Sequence, residues 1–329
     1  MPRNPRAKLP ILLRGLTLAR NTPRPGPAAP RNPRAKALTL LCGLALSAAL
    51  APAAGAAAGG LPELQADFDH QLALAGSRNG AYVYDLTAKQ PLFSQRASTL
   101  RPPASIEKLY TATAALSQMG PTARLSTTVY GVGRLAPGGV WEGDLYLRGG
   151  GDPTFGSSAF IRRHYGGVGA SVSTLVSQLV RSDGIHHVTG RVLGDESAFD
   201  SLRGEPSSSY RADAFLEGSL SALAFNRGSS GRERGAHAPA AYAARQLWAA
   251  LKDNGVTIRG RSGAAATPTT GVVQLAQAQS PTVAQLVALT LPPSDNFLAE
   301  MLLKDLGAIY GGAGTTAAGA SVVARSISS

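Results

Sequence analysis

Residues 103–116, PASIEKLYTATAAL, decide how this chain is interpreted. Ala, Leu and Thr follow two prolines there, which predicts the start of a helix. Ser105 and Lys108 are three positions apart, so on a helix they share one face, with Cβ atoms about 5–6 Å apart. A serine becomes a good nucleophile when a neighbouring base takes its proton, and a deprotonated lysine can be that base. The stretch therefore predicts a nucleophile and its base side by side.

Lysine is rare in most of this chain, which gives Lys108 particular weight. Arginine cannot act as a base because its guanidinium stays protonated, so a retained lysine is a candidate for a role that needs deprotonation. Beyond residue 60 the lysines are Lys89, Lys108, Lys252 and Lys304. The alternative is that Lys108 is a solvated helix residue, since a single Ser-x-x-Lys match arises easily by chance.

A second polar element, Ser294-Asp295-Asn296, lies within PPSDNFLAEMLLKDLG, residues 292–307. Two prolines precede it, and it separates two apolar helical stretches, 282–290 and 296–306. We therefore expect a loop that presents Ser294 and Asn296, with Asp295 capping the helix that follows.

These two motifs occur in the order found in the penicillin-recognising serine enzymes. Four further segments resemble one family among them, the D-alanyl-D-alanine carboxypeptidase/D-alanyl-D-alanine-endopeptidase family. Its members are low-molecular-mass penicillin-binding proteins with an inserted domain, and the resemblance covers about residues 62–329. The segments are LRGGGDPTF (147–155), VLGDESAFD (192–200), SLSALAFNRG (219–228) and PSDNFLAEMLLKDLGAIYGGAGTTAAGA (293–320).

The resemblance implies an α/β (α+β) fold, with a transpeptidase/β-lactamase-like domain and a β-rich domain inserted after the nucleophile helix. It implies that Ser105 is the nucleophile and Lys108 its base. Ser294 would relay a proton to the leaving amine, and Asn296 would hold the substrate peptide or the lysine amine. The implied substrate is the D-Ala-D-Ala end of peptidoglycan stem peptides, with β-lactams as further ligands and no cofactor.

One element of the family pattern does not occur in the sequence. The family carries Lys-Thr-Gly, or a close variant, on a strand after Ser-Asp-Asn; the nearest match here, Arg261-Ser262-Gly263, comes before it. We therefore expect a C-terminally truncated chain whose last strands are missing. We also expect slower D-alanine release than from a chain extended through such a strand, because losing one oxyanion-hole donor costs about a hundred- to a thousandfold in rate.

The net charge of +12 is concentrated at the N-terminus. Residues 1–60 hold nine of the 32 Lys and Arg residues and none of the 20 acidic ones. A basic stretch to Lys36, an apolar stretch 37–50 and Ala56-Ala57-Ala58 predict a signal peptide over residues 1–58 and export to the periplasmic or extracellular side. The alternatives are an uncleaved membrane anchor, for which the apolar stretch is short, and a basic nucleic-acid tail.

Metal and disulfide chemistry have no support in the sequence. The single cysteine, Cys42, lies in the apolar part of the predicted leader, so the mature chain has no thiolate for a disulfide or a zinc site. The five histidines are scattered without ligand spacing. We expect no metal, no cofactor and no nucleic-acid partner.

The pattern along the chain predicts two halves of one domain around a module of different composition. Residues 61–123 and 280–329 are the predicted split penicillin-binding domain, and residues 124–279 are the predicted β-rich insert. The individual expectations are a β-hairpin at 80–95, helices at 104–118, 172–182 and 240–254, a polar loop at 227–239, a turn at Asp152-Pro153 and a helical Glu300–Lys304 ion pair.

These observations leave three functional hypotheses. The first is a serine-type carboxypeptidase/endopeptidase that acts on peptidoglycan through an acyl-enzyme. The second is a catalytically defective remnant or non-catalytic wall-binding protein, because the Lys-Thr-Gly strand is absent. The third is a β-lactamase, which shares the chemistry but does not need the large insert.

Overall fold

The computed structural model describes residues 60–228 and 238–328. They fall into two compact units, one ending at Leu100 and the other beginning at Arg101. The predicted leader, with Cys42, and most of the predicted loop at 227–239 lie outside the described residues. Within the described part of the chain, no helix is long and apolar enough to cross a bilayer.

The first unit consists of one helix and one hairpin. Helix α1 (Gly60–Ala75) precedes strands β1 (Ala81–Asp85) and β2 (Gln90–Gln95), which pair antiparallel as the sequence predicts. The Phe68 and Phe93 rings, with centroids 5.2 Å apart, pack the helix against β2. Gln65 Nε2 also donates to the carbonyl of Leu92 at 2.6 Å.

The second unit is built around a seven-stranded mixed sheet. Strand β3 lies between β4 and β9 and is antiparallel to both, whereas β5 to β8 add parallel pairs on the other side of β4. The strands are β3 (Arg124–Ala136), β4 (Val140–Gly149), β5 (His187–Val188), β6 (Val192–Asp195), β7 (Thr257–Ile258), β8 (Ser262–Ala264) and β9 (Val272–Thr282).

Helix α3 (Ser158–Tyr165) follows β4 in the sequence. Helices α4 (Val172–Ser177, continued by a π-type turn to Ser182) and α5 (Pro239–Asp253) pack against the sheet, and their apolar faces form its core. Leu175 and Leu179 from α4 and the turn after it are fully buried, as are Leu247 and Leu251 from α5. Burying each such side chain contributes about 1.5–3 kcal/mol, so helices and sheet stabilise one another.

A second group of helices carries the polar motifs. Helices α2 (Glu107–Gln118), α6 (Val283–Thr290), α7 (Asn296–Tyr310) and α8 (Thr316–Ser328) share one apolar core. Its smallest members are alanines of α2, and its largest are leucines of α6 and α7. Gly319 lets α8 approach α7 closely, since a Cβ there would collide with the carbonyl of Leu303.

The chain enters and leaves the sheet at neighbouring points. Arg124, at the start of β3, is paired with Thr282, at the end of β9. Leu125 N donates to Ser280 Oγ at 2.9 Å, and Val283 N donates to Ala123 O at 2.9 Å. As a result α6 begins beside the end of the segment that connects α2 to β3. The motifs at Ser105 and Ser294, which are far apart in the sequence, therefore lie in the same region of the fold.

Candidate active site

Ser105 lies in a single helical turn, Ala104–Ile106, that leads directly into α2. Lys108 Nζ lies 3.0 Å from Ser105 Oγ, which is hydrogen-bond distance. Ala104 has a φ of 50°, in the left-handed region that residues with a side chain seldom adopt. Backbone strain of this kind is concentrated at functional sites, where the surrounding structure maintains it.

Ser294 reaches the same lysine from the far end of the sequence. Its Oγ lies 3.2 Å from Lys108 Nζ, although 186 positions separate the two residues. Ser294 also has a left-handed backbone, with a φ of 59°, in the turn between α6 and α7. The lysine amine therefore stands between two hydroxyl groups, an arrangement in which a proton can be passed from one hydroxyl to the other.

Asn296, the first residue of α7, is the fourth predicted site residue. Its Nδ2 donates to the carbonyl of Phe215 at 2.9 Å, so its side chain is held by the segment before the Leu216 core residue. Asn296 lines the same cavity as Ser105 and Lys108. The structure thus brings together all four residues that the sequence singled out.

The cavity at this site has a volume of about 340 Å³. This lies within the range of about 300–1,000 Å³ that is typical of small-molecule sites. Its wall combines the turn at Ser105 and α2 with α7 and the loop at residue 205. The lining residues are Ala104, Ser105, Glu107, Lys108, Thr111, Glu205, Asn296, Ala299, Glu300 and Leu303.

Among the residues that line the cavity, Glu300 is the one whose pKa departs clearly from its ordinary value. Burial and, to a smaller extent, the neighbouring Glu205 raise the pKa of its carboxyl to about 7. Lys304, the Thr316 hydroxyl and Lys108 lower the pKa to a smaller extent. A carboxyl group with such a pKa exchanges its proton at neutral pH. The sequence analysis considered Glu300 only as half of a surface ion pair.

The turn that carries Ser294 is fixed by Asp295. One carboxylate oxygen, Oδ1, accepts from Leu298 N at 2.9 Å, which confirms the predicted helix cap. The other oxygen forms an ion pair with the Arg227 guanidinium. Arg227 is buried, donates from Nε to the Tyr165 hydroxyl at 2.9 Å and lies 5.4 Å from the centre of the Phe297 ring.

Sequence reasoning missed Arg227 altogether. Arg227 has a left-handed φ of 60° and follows Asn226, which has a φ of 50°, so its position depends on an irregular backbone. Burial raises the pKa of the Tyr165 hydroxyl to about 12, which keeps it neutral as an acceptor for Arg227. Arg227 therefore links the loop around Ser294 to the core of the second unit.

The expected helical ion pair between Glu300 and Lys304 was wrong. The Lys304 side chain is buried, and its Nζ donates to Asp200 Oδ1 at 2.6 Å. A buried ammonium needs a close anionic partner, and Asp200 supplies it from the segment after β6. Lys304 thereby ties α7 to the loop that leads to Glu205.

Two acidic residues, Asp152 and Asp305, are buried deep in the protein. Asp152 Oδ1 accepts two hydrogen bonds from Thr154, one from the backbone N at 2.8 Å and one from the hydroxyl Oγ1 at 2.7 Å. These contacts confirm the turn predicted at Asp152-Pro153. Burial raises the pKa of Asp152 to about 6. Burial, together with the charge of Asp152, also raises the pKa of Asp305, on α7, well above its usual range. Both are almost inaccessible to solvent.

Metal ligation has no geometric basis in the described part of the chain. No group of three or more His, Cys, Asp or Glu side chains there is arranged to hold a metal ion.

Comparison with solved structures shows the fold. The chain is similar to penicillin binding protein 4 (dacB) from Haemophilus influenzae, with a TM-score of 0.58, 17% identity, and coverage of 76% of this chain and 67% of that one. The same protein complexed with a novel β-lactam gives a TM-score of 0.56, 16% identity, and coverage of 76% and 66%. The mixed α/β fold expected from the sequence is therefore confirmed.

Comparison with curated sequences points in the same direction. The D-alanyl-D-alanine carboxypeptidase of Actinomadura sp. (strain R39) is 29% identical over an alignment of 351 positions, gaps included. The alignment covers 83% of this chain and 62% of that protein, so the chain spans about three fifths of this relative.

The family comparison covers nearly all of the described residues. The sequence model of the D-Ala-D-Ala carboxypeptidase 3 (S13) family matches residues 64–215 and 213–329. These segments contain Ser105, Lys108, Ser294 and Asn296, in the order that the resemblance implied. The chain belongs to the S13 family of D-Ala-D-Ala carboxypeptidases.

Proposed function

We propose that this chain is a serine-type D-Ala-D-Ala carboxypeptidase/endopeptidase that acts on peptidoglycan stem peptides through an acyl-enzyme. The observation that carries the proposal is the chain of contacts from Ser105 Oγ through Lys108 Nζ to Ser294 Oγ, at 3.0 and 3.2 Å. It joins the proposed nucleophile and the proposed base, which both line the cavity, to a second hydroxyl group.

In the proposed reaction Ser105 Oγ attacks the carbonyl carbon of the peptide bond, and its proton passes to Lys108 Nζ. The C–N bond then breaks, and the leaving amine receives that proton through the Ser294 hydroxyl. A water molecule next attacks the Ser105 ester and gives a proton to Lys108. Lys108 returns this proton to Ser105 Oγ as the ester bond breaks, which restores the free enzyme.

Two further features support this assignment of roles. The Ser105 N–H belongs to the first turn of a helical segment, where amides have no carbonyl partner one turn earlier; we assign it to the developing oxyanion. Asn296, anchored on the carbonyl of Phe215, is assigned to holding the substrate peptide. β-Lactams are proposed as ligands that acylate the same serine.

Fluorescent penicillin tests the proposal directly. The full chain is expected to be labelled, with the adduct mapped to Ser105 by mass spectrometry, whereas Ser105→Ala remains unlabelled. Ser117→Ala is the matched control, because Ser117 lies on the same helix and its hydroxyl donates to the carbonyl of Ala114 at 3.2 Å, one turn back along that helix. Equal labelling of the two variants would contradict the proposal. Binding of peptidoglycan without any labelling would favour the non-catalytic alternative.

We also propose that residues 124–279 form an insert within the split domain of residues 61–123 and 280–329. The pairing of Arg124 with Thr282 supports this division, because an inserted module needs its two ends close together. Hydrogen exchange followed by mass spectrometry is expected to show α2, α6 and α7 opening separately from β3 to β9. Opening of all these elements as one unit would count against the division.

Export is part of the proposal, because the proposed substrate lies outside the cytoplasmic membrane. Its support is the basic, apolar and small-residue pattern of residues 1–58. N-terminal sequencing of the secreted protein is expected to begin close to residue 59, and retention of the basic stretch would contradict it.

A further inference from the structure

One backbone carbonyl holds the Asn296 side chain at the edge of the cavity. Asn296 Nδ2 donates to the carbonyl of Phe215 at 2.9 Å, and Asn296 lines the cavity together with Ser105 and Lys108. A carbonyl oxygen only accepts hydrogen bonds, so the amide nitrogen of Asn296, and not its oxygen, has to face Phe215. Among the described residues no donor bonds to Asn296 Oδ1. The contact therefore fixes which way round the amide lies and leaves Oδ1 to accept.

Phe215 lies in a segment without regular secondary structure. Residues 209–224 form neither a helix nor a strand. The Phe215 side chain is 73% exposed, so its own packing does little to place the backbone. The next residue, Leu216, is buried in the core and anchors the chain only after the turn. The carbonyl that meets Asn296 therefore depends on hydrogen bonds within the segment for its direction.

Asp213 supplies hydrogen bonds of this kind. Its Oδ1 accepts from Phe215 N at 2.9 Å and from Leu216 N at 2.9 Å. The Leu216 N–H and the Phe215 carbonyl belong to one peptide group, and in a planar trans peptide group they point in opposite directions. When Asp213 holds that N–H, it also sets the direction of the carbonyl. The carboxylate of Asp213 and the amide of Asn296 thus bind opposite sides of the same peptide group.

We propose that Asp213 is a positioning residue for acyl transfer, which orients the Asn296 amide through the peptide group between Phe215 and Leu216. The inference rests on the proposed function, in which Asn296 holds the substrate peptide. Asp213 is not among the residues that line the cavity, so its effect on the reaction passes through Asn296. Without the Asp213 carboxylate the peptide group can rotate, its carbonyl leaves Asn296 Nδ2, and the amide is no longer held one way round.

The first test is the rate at which fluorescent penicillin labels Ser105 in the full chain, at a temperature where each variant is folded. Asp213→Ala is expected to label about tenfold more slowly than the wild type, because a small misplacement of a binding group is costly. Asp213→Asn keeps an oxygen that can accept the same two bonds and should label within about twofold of the wild type. Asp213→Ser, whose hydroxyl makes such a turn more weakly, should lie between them and serves if Asp213→Ala does not fold. A rate for Asp213→Asn or Asp213→Ser outside this order would overturn the proposal.

Asp85→Ala is the matched control, because Asp85 makes the same kind of turn elsewhere in the chain. Asp85 Oδ1 accepts from Thr87 N at 2.8 Å and from Ala88 N at 2.9 Å, between β1 and β2. This variant should label like the wild type. Equal slowing in Asp85→Ala and Asp213→Ala would show that losing any such turn is enough, and the proposal would be wrong.

A double-mutant cycle separates positioning of Asn296 from a general structural role. If Asp213 acts only through Asn296, adding Asp213→Ala to Asn296→Ala should cause no further loss of labelling rate. A purely structural role would instead give losses that multiply, because independent effects add in free energy. Multiplicative losses in the double variant would therefore count against the proposal.

A last measurement does not depend on acylation. In protein labelled with ¹⁵N-asparagine, the side-chain amide signal of Asn296 is assigned by its absence in Asn296→Ala. Its exchange with solvent is expected to be slow in the wild type and in Asp213→Asn, and fast in Asp213→Ala. If penicillin labels neither the wild type nor any variant, the proposed function fails, whereas this pattern of exchange still supports the positioning role. Equal exchange in the wild type and Asp213→Ala would overturn that role.

Discussion

At the scale of single residues, the role proposed for Lys108 depends on where its amine lies. It is within 3.2 Å of two hydroxyl groups that come from opposite ends of the described sequence. A lysine can lose its proton, whereas an arginine of similar length keeps a permanent charge. Lysine can therefore act as a base, whereas arginine contributes only a fixed positive charge.

Lys108→Arg is therefore expected to lower Ser105 acylation at least about a hundredfold, which is the usual minimum for losing a general base. The folded structure should persist, since the substitution keeps the positive charge. The measurement is the rate of penicillin labelling together with the thermal unfolding temperature. Lys252→Arg, at the end of α5 and beside the Trp248 ring, is the control and should label like the wild type. Normal labelling of Lys108→Arg would remove Lys108 from the mechanism.

At the scale of elements, the turn between α6 and α7 decides whether the site is assembled. Ser294 has a left-handed backbone, which a serine adopts only if neighbouring contacts hold it there. Asp295 supplies those contacts by capping α7 and by pairing with Arg227. The Arg227 guanidinium uses its planar shape to reach Tyr165 and Asp295 at once, which a lysine cannot do.

Arg227→Lys is expected to destabilise the fold by about 2 kcal/mol and to slow labelling of Ser105 more than tenfold at a temperature where the variant is folded. The second effect follows because the Ser294 hydroxyl is no longer held beside Lys108. The measurements are chemical denaturation and labelling kinetics. Arg191→Lys is the control: its pair with Asp144, at 2.9 Å, is exposed to solvent, so this variant should unfold and label like the wild type. Labelling at the wild-type rate in Arg227→Lys would show that the turn keeps its shape without this contact.

At the scale of the whole molecule, buried carboxyl groups make stability depend on pH. An unfolded chain loses the Asp152 proton near the ordinary value of 3.8, but the folded protein keeps it until about pH 6. The folded state binds more protons across that window, so the free energy of unfolding falls as pH rises. Glu300 acts in the same direction between 4.5 and about 7.

Asp305→Asn should therefore raise the thermal unfolding temperature at pH 8 and change it little at pH 4.5. An asparagine keeps the shape of the carboxyl but carries no charge, so the cost of ionising a buried acid disappears; a gain of about 1–3 kcal/mol is expected. Calorimetry at the two pH values measures it. Asp253→Asn, at the exposed end of α5, is the control. A loss of stability at both pH values would mean that the Asp305 charge is needed in the folded state.

The sequence predicted local features well and missed those created by burial. The hairpin, the main helices and the Ser105–Lys108 pair depend on spacing within a few residues, which the sequence displays directly. Ser294 could be connected to them only through family resemblance, because no local rule spans 186 positions. The expected Glu300–Lys304 pair failed because the rule of four-residue spacing describes exposed helix faces, whereas Lys304 is buried against Asp200.

The pairing of Arg124 with Thr282 has a mechanical consequence. If tension is applied at the two segments that enter the sheet, before β3 and after β9, it acts on the adjacent ends of two antiparallel strands. Force applied there separates β3 from β9 one pair of hydrogen bonds at a time, like a zipper, instead of loading all the bonds together in shear. The sheet that is held together by many bonds at rest would therefore yield at low force when pulled from this side.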